Sequence, residues 1–195
     1  MSPGSGNAAG GDGRGRRLIA VIECILNQNA RDAGAADSPA LNAEVVLLCR
    51  DHDVGLLQMP CPEIAFLGLK RTRPKGESIR AALDTPAGRR CCGNLAREVA
   101  DRIEAYAREG CEVLALLGGN PGSPGCAVHE DGSGLRPESG VLMRELRAEL
   151  RRRSIEIPFR GMRDHDPASH AEDVEWLRGV LATGAAARRD ESAPP

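Results

Sequence analysis

Three short apolar runs, residues 18–24, 54–59 and 112–117, recur along this chain, and each gives way to a stretch of helical periodicity. Runs of that length, rich in Ile, Val and Leu, suit strands buried on both faces. Between them the apolar positions shift to spacings of three and four. Leu41, Val45, Leu48 and Cys49 share a face behind Ser38-Pro39, which reads as an N-cap followed by proline at the first helical position. A long helix over 89–109 would bury Leu95, Val99, Ile103 and Tyr106, and a helix over 137–152 would bury Leu142, Leu146 and Leu150. A fourth strand is expected over 155–159. The last helix opens at Asp166-Pro167, buries Val174, Leu177 and Leu181, and stops before Gly184. Residues 70–85 read as a polar loop. This alternation predicts an α/β fold: a three-layer Rossmann-like domain with a mostly parallel sheet of about four strands and helices on both faces.

A chain of 195 residues suits one such domain. Only 2% of residues are aromatic, so aliphatic side chains must fill its core. Residues 1–16 and 185–195 carry no periodic apolar pattern and read as disordered tails around a single domain over 17–184. The formal charge of −2 points to neither a nucleic-acid polymer nor a membrane surface as partner. No run approaches the roughly 20 apolar residues that cross a bilayer. Arg16-Arg17 superficially resembles a twin-arginine export signal, but Glu23 interrupts the short apolar stretch behind it. The expectation is a cytoplasmic chain whose seven cysteines stay reduced. Oligomeric state is not legible.

Three of those cysteines stand apart. Cys24 ends the first apolar run, Cys61 follows the second between two prolines, and Cys126 sits in a Gly/Pro/Ser loop after the third. In parallel sheets ligands bind beyond the carboxyl ends of strands, so this placement would bring three thiols to one edge. Thiolates are soft ligands for zinc, copper(I) or iron–sulfur clusters. The paired short spacings of zinc sites are absent here. Cys49 and Cys111 read as packing residues. Cys91 and Cys92 are ambiguous: neighbours on a helix point apart, so at most one would reach the other three.

The segments Cys-Ile-Leu-Asn-Gln-Asn-Ala at Cys24, Gln-Met-Pro-Cys-Pro-Glu at Cys61, Leu-Asp-Thr-Pro at Leu83 and Gly-Ser-Pro-Gly-Cys-Ala at Cys126 resemble the thiouracil desulfidase (TudS) family, in its single-domain branch. The resemblance spans about residues 18–128. It implies a 4Fe–4S cluster held by Cys24, Cys61 and Cys126 with one iron left open. It also implies removal of sulfur, as hydrosulfide, from a thiolated nucleobase or similar small thiocarbonyl compound. By motif, Glu63 becomes the acid of the Cys-Pro-Glu segment, moving a proton to or from the attacking water. Ser123 becomes the serine of the Ser-Pro-x-Cys turn, orienting water or substrate. Gly125 and Ala127 stand where the family pattern has serine and glycine.

Substrate contacts are expected from Asn27 and Asn29, which could meet a heterocycle edge, and from Lys70 and Arg71 in a basic loop that could clamp an anion. Two other readings stay open. One is a non-catalytic iron–sulfur or redox-sensing domain in which Cys91 or Cys92 closes the cluster. The other is a nucleotide-binding domain whose 118–125 glycine loop cradles a phosphate, although that loop matches no established phosphate motif.

Overall fold

The computed structural model describes residues 13–131 and 134–191, with side chains to Thr183. Four strands form one all-parallel sheet: β1 (Arg17–Ile22), β2 (Gly55–Met59), β3 (Glu112–Gly118) and β6 (Phe159–Gly161), in the order β2-β1-β3-β6. Every residue of β1 is buried, as a central strand covered on both faces requires. Its partners are in register from Leu18 opposite Gly55 to Ile22 opposite Met59 on one edge, and reach Val21 opposite Leu117 on the other.

Helices cover both faces. On one side α2 (Ala43–Asp51) packs on α7 (Pro167–Glu191); on the other α5 (Pro86–Arg108) packs on α6 (Val141–Arg152). The short helices α1 (Glu23–Leu26), α3 (Pro62–Leu67) and α4 (Ile79–Asp84) border the carboxyl end of the sheet, and a 3-10 turn (Gln28–Ala30) follows α1. The two-residue strands β4 (Glu130–Asp131) and β5 (Gly134–Leu135) pair antiparallel outside the main sheet. No described helix is long and apolar enough to cross a membrane.

The expected architecture holds, while several boundaries and faces move. The first run leaves the sheet at Ile22, so Cys24 lies in α1 rather than in a strand. Helix α2 starts four residues past Pro39, because Asn42 accepts the Val45 N–H at 3.2 Å while the Ser38 hydroxyl turns to the Leu41 carbonyl. The polar segment 70–85 contains α4, capped by Ser78 Oγ on the Ala81 N–H at 3.0 Å. Helix α5 starts at Pro86, behind Thr85, whose hydroxyl caps Gly88. It buries Cys92, Ala96, Val99, Ala100 and Ile103. Tyr106, expected inside, is exposed, and small Ala96 and Ala100 are buried instead. Strand β6 begins at Phe159, where the run 155–159 was expected to end. Helix α7 continues to Glu191 through the alanine-rich stretch 185–187, whose high helix propensity outweighs Gly184. The tail expected at 185–195 is therefore helical as far as it is described, and residues 1–12 lie outside the described residues.

One buried charge joins α7 to the sheet. Asp173 is fully buried and accepts from Arg160 Nε at 2.7 Å, Arg163 Nη2 at 2.7 Å, and the Arg163 backbone and Nε at 2.9 Å each. Burial alone would raise its pKa, but the Arg163 and Arg160 hydrogen bonds outweigh it and hold the carboxyl below its ordinary value. Removing one partner of a buried pair costs about 3–5 kcal/mol. Both arginines are about a third exposed, so for Asp173→Ala we expect less than that range, about 2–3 kcal/mol, by denaturant unfolding. Because the folded pKa is depressed, this stability should be complete above the ordinary carboxylate value of about 3.9 and fade as pH falls below it. The acid unfolding of the variant should be correspondingly shallower.

Candidate functional site

Parallel pairing sends the carboxyl ends of β1, β2 and β3 to the same side, and each delivers a thiol by a different local device. The chain turns into α1 directly after Ile22, which places Cys24 one residue into that helix. Beyond Met59, Pro60 stops the ladder, and Cys61 becomes the N-cap of α3 with Pro62 at its first position. Cys126 lies eight residues past the end of β3 and has to be brought back. The loop closes through the Gly119 N–H on the Cys126 carbonyl at 2.8 Å, continued by a bridge between Gly119 and Ala127. The N-terminus of α6 finishes the job: the N–H groups of Gly140, Val141 and Leu142 donate to the carbonyls of Ala127, Pro124 and Gly125. Ser139, fully buried, accepts from the His129 N–H and donates to its carbonyl.

Glycines make this closure possible. A side chain at Gly140 would put its Cβ 2.3 Å from the Cys126 nitrogen and 2.4 Å from the Gly125 carbonyl carbon. At Gly119 it would meet the Cys126 sulfur at 2.8 Å and the Ser123 hydroxyl at 3.0 Å. Within the glycine loop the Ser123 N–H donates to the Asn120 carbonyl as well.

The three thiols share one electrostatic neighbourhood. Cys126 feels the charges of Cys24, Cys61 and Glu63, and Cys24 feels that of Cys61. Burial is the main influence on each. It pushes Cys24 up to about 11 against the opposing pull of Arg31, raises Cys61, and raises Cys126 against the opposing effect of the nearby Ser123 hydroxyl. Without a cation among them these are neutral thiols, and a metal would have to displace their protons. Cys92 sits elsewhere, in a small apolar cluster with Leu83 and Val141, and its electrostatic neighbours are Cys91, Glu145, Asp84 and Arg144. That leaves neither Cys91 nor Cys92 in the electrical company of the trio. Cys49 is core, and Cys111 packs against the core.

Two guanidinium groups hold the thiol segments together. Arg71 is buried, adopts a left-handed backbone with φ of 48°, and donates to Glu63 Oε2 at 3.2 Å and to the carbonyls of Ala30 and Leu69. Its Nη2 also lies 3.7 Å from the Cys61 sulfur. Arg31 lies near enough to Cys24 to oppose the burial of its thiol, forks onto both oxygens of Asp164 at 2.8 and 2.6 Å, and pairs with Asp37. Asp164 in turn accepts from Asn120 Nδ2 at 2.6 Å. A cleft of about 300 Å³ opens beside this array, lined among others by Arg31, Glu63, Arg71, Asn120, Ser123 and His165.

Of the residues singled out from sequence, Glu63, Ser123 and Arg71 therefore come together with the three cysteines. Arg71 does so as a buried tie rather than an exposed clamp. Lys70 is exposed and does not line the cleft. Asn27 and Asn29 are exposed and bonded to each other, with Asn27 Oδ1 accepting from the Asn29 N–H and Nδ2; they form a turn. Arg31, Asn120, Asp164 and Glu23, whose carboxylate accepts the Cys61 N–H at 2.9 Å, were not predicted. Their partners lie up to 133 residues away, and no local pattern marks them.

The three sulfurs are not set for a single tetrahedral ion. A tetrahedral zinc with bonds of about 2.3 Å would need sulfurs about 3.8 Å apart. Among the described residues the trio of possible ligand atoms lying within 4.8 Å of one another is Asp37, Asp164 and His165, so at least two of the three sulfurs lie further apart than that. The carboxylates of the tighter trio are already occupied by Arg31.

The fold is that of a Rossmann-like α/β domain, with Cys24, Cys61 and Cys126 on the segments that follow the carboxyl ends of β1, β2 and β3. The chain is similar to an uncharacterized protein, MJ0003, of Methanocaldococcus jannaschii, at 26% identity over 144 residues, covering 74% of this chain and 84% of the relative. No family model matches the chain, and no solved structure matches it.

The glycine requirement is open to test. Gly140→Ala should cost about 1–3 kcal/mol, as other overpacked sites do. It should also free Cys126, 7% exposed in the native fold, to react with iodoacetamide in the metal-free protein. Peptide mass spectrometry would show protection of Cys126 in the wild type and labelling in the variant.

Proposed function

We propose that this protein is a desulfidase that holds a 4Fe–4S cluster on Cys24, Cys61 and Cys126 and converts a small thiocarbonyl compound, such as a thiolated nucleobase, to its carbonyl counterpart. The observation that carries the reading is the convergence of three thiols, from three successive strand ends, beside a cleft that also presents Glu63 and Ser123. With three protein ligands, a bound cluster would supply one iron open to a soft sulfur atom.

The net reaction is redox-neutral. A C=S bond is exchanged for C=O with oxygen from water, sulfur leaves as hydrosulfide, and one proton is released. Within this reading each cleft residue has a task. Glu63 accepts the proton of the attacking water, with Arg71 fixing one of its carboxylate oxygens so that the other faces the reaction. Ser123, close to Cys126 across Gly119, orients the water or the thiocarbonyl carbon against the thiols. The Arg31–Asp164–Asn120 chain holds the far wall of the cleft.

Anaerobic reconstitution with iron and sulfide should give a brown, oxygen-sensitive protein with about four irons per chain. Replacing Cys24, Cys61 or Cys126 by serine should abolish the colour, whereas Cys91→Ser and Cys92→Ser should keep it. The loaded protein should release sulfide from thiouracil. Glu63→Gln should slow that release by about 10²–10⁴-fold, the usual contribution of a general base, at unchanged iron content. A colourless protein after reconstitution would sink the proposal.

A further inference from the structure

The tripeptide Pro60-Cys61-Pro62 has a single backbone donor, because neither proline carries an N–H. That donor belongs to Cys61, the N-cap of α3. In a capping box the residue at N3 reaches back with a carboxylate to satisfy the N-cap N–H. Position N3 of α3 is Ile64, which has nothing to offer. The bond comes instead from another part of the chain: Glu23 Oε2 accepts the Cys61 N–H at 2.9 Å.

Glu23 is the first residue of α1 and the immediate neighbour of Cys24. The last rung of the β1–β2 ladder is Ile22 opposite Met59. The carboxylate thus adds one side-chain rung beyond the end of the ladder, where the prolines forbid a backbone one. It does so between the two segments that carry Cys24 and Cys61.

We infer that Glu23 is a positioning residue that sets the spacing of the Cys24 and Cys61 sulfurs for their shared centre, a role that rests on the cluster reading above. Its carboxylate acts through the Cys61 backbone and touches no substrate. Two properties separate in its variants. Glutamine keeps an acceptor oxygen at the same reach but loses the charge, whereas alanine loses both.

The test compares wild type, E23Q and E23A after anaerobic reconstitution, by iron retention against a chelator and by the cluster's reduction potential. Loss of a residue that orients a metal ligand typically costs about 10–100-fold in affinity, so E23A should lose iron that much more readily. E23Q should retain iron like the wild type, with its potential shifted upward because a negative charge near the cluster is gone. Equal retention by E23A and wild type, or equal loss by E23A and E23Q, would overturn the positioning role. A second readout uses no iron: a short bis-thiol cross-linker, mapped by peptide mass spectrometry, should join Cys24 to Cys61 in wild type and E23Q and fail to do so in E23A. A wild type that takes up no cluster but shows this cross-linking pattern would defeat the desulfidase reading and leave Glu23's role standing. Should E23A not fold, Glu23→Asp, one methylene too short, takes its place with the same expected outcomes.

Discussion

Parallel pairing on both edges of β1 is the constraint from which the candidate site follows. A strand buried along its whole length, apolar but for Arg17 at its start, leaves function to where the chain leaves the sheet. Because β1, β2 and β3 run the same way, they all leave it on one side. The three exits are chemically different: an immediate turn into α1, a proline-flanked N-cap, and a long loop folded back onto the end of its own strand. Each presents one thiol, and none could assemble the trio alone.

The loop that returns Cys126 depends on backbone hydrogen bonds rather than on apolar packing. Its carbonyls take up the free N–H groups at the start of α6, which satisfies the helix end and fixes the loop with the same bonds. Glycine at 119 and 140 is what lets the two backbones come that close. Around this frame the charged groups are arranged in pairs. Glu63 meets Arg71, and Asp164 meets Arg31, each pair largely buried. Burial raises the Asp164 pKa and the Arg31 hydrogen bonds lower it, and the bonds prevail. Such pairs contribute little net stability once desolvation is counted, but each fixes the geometry of a segment beside a thiol.

The sheet was legible because burial on both faces demands runs of Ile, Val and Leu, visible without knowing any partner, although β1 ends two residues before its run does and β6 starts where its run was expected to end. Helix faces were less so. In α5 the buried face includes Ala96 and Ala100, side chains too small to announce themselves, while large Tyr106 is exposed. Helix α4 was hidden in a charged stretch, where the cap at Ser78 was the only local mark. At the site, the cysteines and Glu63 and Ser123 stood out by motif. Glu23 looked like no more than a break in an apolar run, and nothing local marks Arg31 or Asp164, since what defines each of them is a contact across the fold.

Arg71 shows why composition misleads at such a place. In sequence it belongs to a basic loop with Lys70, Arg73 and Lys75, the pattern of a clamp for an anion. In the fold, Arg73 turns to the carbonyls of Arg71 and Glu77, the two lysines are exposed, and Arg71 alone is drawn inward. Its guanidinium is committed to a carboxylate, two carbonyls and the edge of a thiol, and its backbone takes a left-handed conformation that non-glycine residues seldom adopt. Local strain of that kind persists where the surrounding contacts over-determine it. Here those contacts reach the turn after α1 through Ala30, the acid of α3 through Glu63, and the centre through Cys61. One cation thus links two thiol-bearing segments from inside the protein, a task set by where its partners lie and invisible in the charge pattern of its own loop.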